Sequence, residues 1–427
     1  MRKLLFIAVL TLLAVSLFAG GAENKNNFSA GYARILSKNT ETSKPDAVFY
    51  NPAGTAFMED GIYVEAANQF LFKEYSNNAK DISIASQGFG DPTDMDKYTS
   101  DNPVLLYPSA ELVWKKDDFA IFGSFGVFAG GGTLEYDKGS FLTNSQFLSY
   151  VGTFPGPTTI EEEDIEHSLE ASSVTFGEMI GASYKYQDIV SASAAVRFLQ
   201  GKLTQKVTLD NEPTTALITV AGLGGITIED KTMLDTEASA NGVGFIFGTH
   251  VKPIEKLDIA LQYQTRTKME YEYDKAKGAL VDVEKGDKFK TYLPAVFAMG
   301  VGYQILPALY ASTSFNYYFN DQADFDYDDS WEIALGAEYD INEMIAVSAG
   351  GMYSKQGLKD DTNSTENPLL DSVTIGLGAG LNFIENLTVD IGLMKPIYFD
   401  ADLEYGDEEI KLSKKLTILA IGATYRF

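Results

Sequence analysis

Three basic side chains are the residues of this sequence best placed to bind an anion. Arg197, Arg266 and Lys268 lie in segments that alternate between apolar and polar residues, and parity puts all three on the polar, inward face. Guanidinium and ammonium groups there can form charge-assisted hydrogen bonds with a ligand carboxylate. The alternative is pairing with acids of the same face, such as Glu270, Glu338 and Asp390.

Side chains for covalent catalysis or metal binding are scarce. The 427 residues include no cysteine, which excludes disulfides, thiolate metal sites and a cysteine nucleophile. The two histidines, His167 and His250, are expected at opposite ends of the fold, and neither lies in a motif for a histidine-activated serine. We therefore expect no enzyme activity, no catalytic residue, no metal site and no cofactor.

The charge balance is strongly acidic. Thirty-three basic residues face 60 acidic ones, for a net charge of -27, so a nucleic-acid partner is excluded. The densest acidic run lacks the glycine and final glutamate of an EF-hand, and we interpret it as a solvated loop; it comprises Asp321, Asp324, Asp326, Asp328 and Asp329.

Alternation with a period of two extends through most of the chain beyond residue 60. In 257–273 the odd positions are mainly apolar and the even positions mainly polar, over a length far beyond the usual five or six residues of a globular strand. A soluble sandwich does not suit so many polar residues on the inner face, whereas a membrane barrel with a wet lumen does. The pattern predicts an all-β transmembrane antiparallel barrel.

The segments number fourteen, and short connections alternate with long ones, as in bacterial outer-membrane barrels. The predicted strands are 61–75, 104–115, 118–135, 167–186, 189–209, 231–251, 257–274, 288–304, 308–325, 329–340, 345–358, 370–384, 386–403 and 410–427.

Both chain ends carry targeting features. Residues 1–22 combine Arg2 and Lys3, an apolar run and a small-residue end, which predicts a signal peptide cleaved before Glu23. The C-terminal apolar row ends at Phe427 and looks like the signal that the outer-membrane barrel-assembly machinery binds. We expect a bacterial outer-membrane protein, in contact with outer-membrane lipids and monomeric.

Residues 23–60 do not alternate and contain Asn51-Pro52-Ala53-Gly54 after a phenylalanine and a tyrosine. The plainer interpretation is a periplasmic leader ending in a turn, and the sharper one is a plug for a lumen of fourteen strands. With Tyr292-Leu293-Pro294-Ala295 and Gly300-Val301-Gly302-Tyr303, this motif resembles the FadL/TodX family of outer-membrane transporters.

The resemblance implies a hatch at 23–60, a barrel at 61–427 and passive transport of hydrophobic molecules, above all long-chain fatty acids. In the family, ligand is captured by extracellular loops, the hatch shifts, and a kink in the third strand opens the wall laterally. Uptake of aromatic hydrocarbons by the same mechanism is one alternative. An aqueous diffusion porin is the other, and it would conduct ions through an open pore.

Glycines in the third strand suggest where the wall could open. Gly123, Gly126 and the run Gly130-Gly131-Gly132 weaken a strand or mark a bulge, so we place the kink at one of these two sites. Packing against the hatch is the competing explanation.

The loop after that strand contains apolar residues at spacings compatible with a short amphipathic helix. As the resemblance assigns substrate capture to this loop, our candidates are Phe141, Leu142, Phe147, Leu148 and Val151. Packing of the loop on the barrel rim is the alternative.

Overall fold

The structure, a computed structural model, describes residues 27–79, 83–84, 93–94, 97–144, 158–159, 167–209, 215–220, 224–227, 232–278, 281–323, 328–357, 363–405 and 408–427. The predicted signal peptide and residues 23–26 of the predicted hatch lie outside these ranges. None of the helices within them has both the length and the apolarity needed to cross a bilayer.

Fourteen long antiparallel strands form the wall of the molecule. They are β1 (Gly61–Asn78), β2 (Val104–Lys116), β3 (Phe119–Tyr136), β4 (His167–Tyr186), β5 (Val190–Leu209), β6 (Thr232–Ile254), β7 (Leu257–Gln264 and Thr267–Lys277), β8 (Lys288–Leu293 and Ala295–Leu306), β9 (Leu309–Phe319), β10 (Ser330–Asn342), β11 (Ile345–Lys355), β12 (Ser372–Ile384), β13 (Leu387–Tyr398) and β14 (Glu408–Arg426). Because β1 pairs with both β2 and β14, the sheet closes into a barrel.

Shorter elements extend or connect these strands. Lys97–Ser100 pairs with β1, and Ala401–Tyr405 pairs with β14. A 3-10 helix, Asp321–Ala323, follows β9. Two separate small sheets consist of Ser83–Ile84 with Thr93–Asp94, and of Thr158–Thr159, Thr215–Val220 and Gly224–Thr227.

The predicted barrel of fourteen strands is confirmed. The alternation of side chains explains the agreement, since Val243, Phe245 and Phe247 of β6 are exposed on the outer face and Ile246 is buried. The largest difference in bounds concerns β9, which ends at Phe319 rather than at 325.

The prediction that Arg266 and Lys268 face inward is wrong. Strand β7 has one more residue than β6 between the pairs Ile246↔Gln264 and Asn241↔Glu270, and this extra residue exchanges the two faces of the strand. Asp258 and Gln262 are therefore buried before the irregularity, and Thr267, Met269 and Tyr271 after it. Arg266 lies over the Tyr292 ring at 4.6 Å, and Lys268 pairs with Glu270 at 2.7 Å, both in exposed positions.

The barrel encloses the N-terminal segment 27–60, which we call the hatch. It contains helices α1 (Ala30–Ile35) and α2 (Ala47–Tyr50) and the 3-10 helix Pro52–Phe57. The Ser29 side chain caps α1 by accepting the Tyr32 N–H, and Pro52 supplies a fixed φ for the first position of the 3-10 helix.

The hatch contacts opposite sides of the wall. Helix α1 packs against β1 and β10 to β14, whereas the 3-10 helix packs against β2 to β6. Glycines permit this close approach, since a Cβ on Gly350 would lie 1.9 Å from the Ile35 carbonyl oxygen. The lumen is therefore occupied over its whole width at this level.

Candidate functional site

The Asn-Pro-Ala motif of the hatch binds the wall at strands β5 and β6. Asn51 Nδ2 donates to the Glu41 carbonyl at 2.9 Å and lies 2.8 Å from Nδ1 of His250 on β6. The Ala53 carbonyl accepts the Ser191 hydroxyl of β5 at 2.6 Å. Gly54 leaves room for this turn, because a Cβ there would lie 2.2 Å from the Glu41 carbonyl oxygen.

Ion pairs hold the other half of the hatch. Lys38 Nζ lies 2.6 Å from Asp46 and 2.9 Å from Glu41, and Lys44 Nζ lies 2.9 Å from Asp390 of β13. Burial opposes the charge on Lys38, but the carboxylates of Asp46 and Glu41 outweigh it and hold the pKa of Lys38 above its ordinary value. Burial likewise opposes the charge on Glu41, yet Lys38 and Lys44 hold the pKa of Glu41 well below its usual range.

A polar cavity of about 330 Å³ lies between the hatch and the short-turn end of the barrel. Arg34 and Lys44 of the hatch line it, together with Lys252, Asp258 and Glu338 of the wall. Arg34 contacts both Glu338 and Asp390. An apolar molecule gains nothing from such a lining, because it would displace the water that solvates these charges.

Aromatic rings cover the opposite side of the hatch. Phe28 stacks on Phe49 with ring centroids 4.4 Å apart. Phe128 of β3 packs against both, with centroid distances of 5.0 Å and 5.7 Å. The hatch therefore presents an apolar surface to the third strand.

Strand β3 is irregular at this surface. Its register with β4 shifts between Val127 and Ala129 and again between Gly130 and Gly132. Gly130 and Gly132 have φ of 79° and 117°, which strongly favour glycine, and Gly131 lies between them. Gly123 and Gly126, by contrast, lie in regularly paired parts of β3, and Gly126 faces the Phe49 ring.

The pairing of β3 with β2 ends early. The ladder runs from Lys116↔Phe119 to Ser109↔Gly126, so residues 127–136 of β3 have no ladder partner on β2; we call this stretch the β2–β3 gap. Side chains bridge it: Lys73 Nζ donates to the Thr133 carbonyl at 2.7 Å, and the Tyr107 hydroxyl donates to the Gly130 carbonyl at 3.4 Å.

Arg197 is the only one of the three predicted cations that lies inside the barrel. Its side chain is 3% exposed, and its guanidinium donates to Gln264 Oε1 at 2.8 Å and to Thr267 Oγ1 at 3.0 Å. Among the described residues it has no acidic partner, and its Nε has no acceptor. The irregularity in β7 that turns Arg266 outward brings Thr267 inward to Arg197.

The predicted capture residues are only partly described. Phe141 begins a helical turn at 141–144 and is buried, with its ring 5.1 Å from that of Tyr405. The Leu142 amide donates to Glu366 Oε1 at 3.0 Å. Phe147, Leu148 and Val151 lie outside the described residues.

A large part of the barrel sequence matches a known protein family. The family model described as outer membrane protein transport protein (OMPP1/FadL/TodX) matches residues 166–427. The chain belongs to this family. Its resemblance to FadL/TodX proteins is thereby confirmed, and it is an outer-membrane transporter of hydrophobic compounds. The short-turn end of the barrel is then the periplasmic end.

Solved structures share the fold over nearly the whole chain. A FadL homologue from Pseudomonas aeruginosa has 17% identity and a TM-score of 0.66, covering 96% of this chain and 100% of that one. For the Pseudomonas putida toluene transporter TodX the values are 14%, 0.63, 94% and 98%. For the Ralstonia pickettii toluene transporter TbuX they are 15%, 0.62, 95% and 99%. No curated protein sequence matches the chain.

The partners of Asn51 escaped prediction from the sequence. His250 has no motif around it, and it lies on a strand 199 positions after Asn51 in the sequence. The one available signal was that histidine is rare in this sequence, which has only two.

Proposed function

We propose that this FadL/TodX family protein takes up long-chain fatty acids and binds their carboxylate at Arg197. The observation that carries the proposal is a buried guanidinium without an acidic partner among the described residues. Keeping such a charge out of water is costly, and an incoming carboxylate would offset the cost with charge-assisted hydrogen bonds.

Uncharged aromatic hydrocarbons are the second candidate ligands. The toluene transporters TodX and TbuX have this fold, and the rings of Phe28, Phe49 and Phe128 form a surface on which an aromatic ligand could stack. Toluene has no anionic group, so it would leave the Arg197 guanidinium unpaired. This difference makes the two ligand classes distinguishable.

In the proposed route the ligand leaves through the β2–β3 gap into the outer membrane. Each CH₂ group is stabilised by about 0.8 kcal/mol outside water, so an acyl chain favours lipid over the charged periplasmic cavity. Because residues 127–136 have no ladder bonds with β2, no such bonds have to break for the wall to open there, which favours this part of the wall as the exit. Gly130, Gly131 and Gly132 form the kink in this proposal, with Gly123 and Gly126 below it.

The proposal also assigns a role to each remaining part of the chain. Residues 1–22 direct export, 23–60 act as the hatch and 61–427 form the barrel. Phe427, which is 71% exposed at the end of the outward row, is the contact for the barrel-assembly machinery. Capture at the cell exterior is assigned to the loop with Phe141, Leu142, Phe147, Leu148 and Val151.

The decisive experiment compares a fatty acid with its methyl ester. The purified barrel should bind the acid, and Arg197→Gln should weaken this binding by roughly 10-fold to 100-fold, the loss of one or two hydrogen bonds to a charged group. Binding of the ester should change little. Arg266→Gln is the matched control, because this arginine lies in an exposed position on the outer face.

Three results would contradict the proposal. Equal binding of acid and ester by the wild type would remove the carboxylate site. Preferential binding of toluene would favour aromatic hydrocarbons. Large single-channel conductance, with no lipid retained on purification as judged by mass spectrometry, would favour a porin.

A further inference from the structure

His250 joins the Asn-Pro-Ala motif to the barrel wall, and its side chain is fully buried, at 0% exposure. Its ring packs against Phe57 of the hatch with centroids 5.0 Å apart. Both ring nitrogens have partners: Nδ1 lies 2.8 Å from Asn51 Nδ2, and Nε2 lies 2.9 Å from Asp258 Oδ1. The imidazole is a titratable group that takes no part in the proposed carboxylate site.

The hydrogen bonds around Asn51 require a neutral imidazole. The Glu41 carbonyl oxygen can only accept, and it lies 2.9 Å from Asn51 Nδ2, so that atom must be the donating amide nitrogen. Because the same donor also lies 2.8 Å from His250 Nδ1, this ring nitrogen must accept and carries no proton. The ring proton is then on Nε2, which donates to Asp258.

Protonation of His250 is incompatible with this arrangement. A proton on Nδ1 would face the Asn51 amide nitrogen, donor against donor. A flip of the amide would present its oxygen to the new proton, but the same oxygen would then face the Glu41 carbonyl oxygen, acceptor against acceptor. Either way Asn51 loses a buried hydrogen bond that it makes in the neutral form.

Charged groups surround His250 from several elements. Asp258 of β7 contacts Nε2 of the ring, and it is shared with Lys252 of β6 at 3.4 Å and with the Tyr310 hydroxyl of β9 at 3.5 Å. Lys185 of β4 lies over the Phe57 ring, 5.6 Å from its centroid. From the hatch, the Glu41 carboxylate is directed to Lys38 instead.

Protons have a polar route to this site. The cavity of about 330 Å³ is lined by Asp258, Lys252 and Tyr310, and also by Glu255 and Pro307 from two periplasmic turns. The carboxylate that accepts the His250 proton therefore borders a space that reaches the periplasmic end of the barrel. Changes in periplasmic pH can act on His250 through Asp258.

We propose that His250 is a pH-sensitive positioning residue, which holds Asn51 when neutral and releases it when protonated. Release frees the Asn-Pro-Ala motif from β6 and loosens residues 47–57. Histidine is the side chain that ordinarily changes charge between about pH 5 and 8. The step from a loosened hatch to faster uptake relies on the proposed function; the hydrogen-bond switch itself does not.

Hydrogen–deuterium exchange of the full chain in detergent micelles tests the proposal without any ligand. After correction for intrinsic exchange, amides of residues 47–57 should exchange about tenfold faster at pH 5 than at pH 8, corresponding to the loss of one buried hydrogen bond. Peptides of the paired strands β10 and β11 serve as the internal reference and should not change.

Two variants separate titration from structure. His250→Gln keeps an acceptor for Asn51 and a donor for Asp258 but does not titrate, so the exchange of 47–57 should become independent of pH. Asp258→Asn keeps an acceptor for the Nε2 proton, so the exchange of 47–57 should stay slow at pH 8. Unchanged heat-modifiable mobility on gels would show that both variants form the barrel.

The tautomer is directly observable, because His167→Gln leaves His250 as the only histidine. Nitrogen-15 NMR of this variant should show a proton on Nε2 and none on Nδ1 at pH 8, and protons on both at pH 5. Identical exchange at the two pH values, or an unaltered pH effect in His250→Gln, would overturn the proposal. Normal fatty-acid binding by Arg197→Gln would instead overturn only the proposed carboxylate site.

Discussion

The guanidinium carbon of Arg197 lies 5.4 Å from the centroid of the Phe128 ring. This contact joins the proposed carboxylate site on β5 to the residue at which the register of β3 first shifts. Phe128 also packs on Phe28 and Phe49, so one aromatic ring touches the cation, the hatch and the edge of the β2–β3 gap. A ligand bound at Arg197 would therefore lie beside a ring that contacts both the hatch and the edge of the β2–β3 gap.

Closing the β2–β3 gap with a disulfide should stop uptake. The ideal Cβ position of Gly132 lies 3.5 Å from Val104 Cβ, within the range that a disulfide spans, and the chain has no other cysteine. A side chain at Gly132 is strained by the φ of 117°, and this strain is present in both the oxidised and the reduced Val104→Cys/Gly132→Cys variant. The oxidised variant should take up a labelled fatty acid at least about tenfold more slowly than the same protein after reduction, if lateral exit limits the rate.

A matched cross-link lies on the same two strands. Gly126 and Ser109 form the last ladder pair, and the ideal Cβ position of Gly126 lies 3.7 Å from Ser109 Cβ. Ser109→Cys/Gly126→Cys should form a disulfide without changing uptake, because this part of the wall is already paired. Equal uptake by the oxidised and reduced gap variant would exclude the gap as the exit.

Alanine at Gly130 should distort the bulge. Its φ of 79° is strained for alanine, and the added Cβ would lie 2.2 Å from the Ser173 carbonyl oxygen. We expect Gly130→Ala to lower the free energy of unfolding by about 1–3 kcal/mol, measured by urea titration in lipid vesicles. Gly123→Ala is the control, as its Cβ would meet only the Met179 carbonyl at 3.4 Å. Equal effects of the two substitutions would contradict a special backbone at Gly130.

Neutralising Glu111 should stabilise the barrel. Glu111 of β2 lies directly opposite Glu65 of β1, both are buried on the inner face, and neither Glu111 oxygen has a partner with hydrogen-bond geometry among the described residues. Because burying an unpaired carboxyl opposite a second one is unfavourable, Glu111→Gln should raise the free energy of unfolding by about 1 kcal/mol.

Glu332 provides the opposite case. It is also buried, but it accepts the Tyr318 hydroxyl at 2.8 Å and the Ser354 hydroxyl at 3.3 Å. Glu332→Gln should therefore lower the free energy of unfolding by about 1–2 kcal/mol in the same urea titration. If both substitutions changed it in the same direction, the unpaired carboxyl at Glu111 would not be the cause.

Acid should loosen α1 and the turn that follows it. The pKa of Glu41 lies below its ordinary value of 4.5 in the folded hatch, so its contribution to stability is complete above that value and is lost as the pH falls towards the folded pKa. The pKa of Lys38 is raised from 10.5, so its contribution persists throughout this acidic range.

Hydrogen exchange of residues 29–46 should accelerate below about pH 4.5 in the wild type. Glu41→Gln should exchange fast already at pH 7, whereas Glu343→Gln, on an exposed turn, should match the wild type.

The barrel was predictable because strand parity is a local property. Arg197, which parity puts inside, is buried on a strand whose register with β4 is continuous from Val190 to Leu209. The same rule failed for Arg266 and Lys268, since one extra residue in β7 exchanges its faces and nothing in the local composition marks the change. Pro294, between the two segments of β8, was the only hint, because proline interrupts a ladder.

The partners inside the lumen were not predictable in the same way. Asn51 and His250 meet only because the hatch is folded inside a closed wall, and no periodicity encodes that contact. The ion pair of Lys44 with Asp390 likewise joins the hatch to the thirteenth strand. Such contacts follow from the tertiary arrangement of the hatch, which has no repeating pattern to reveal its orientation.

The position of α1 has a consequence for assembly. This helix packs against β14 and β1, the two strands whose pairing closes the barrel. Their ladder pairs residues from near opposite ends of the chain, such as Tyr63 with Arg426. Joining such distant segments has a large entropic cost, which an element that binds both edges reduces. The N-terminal segment is synthesised before the strands, so we expect it to hold the first and last strands together while the barrel closes. Removing this segment should slow barrel closure, an effect that does not depend on any ligand.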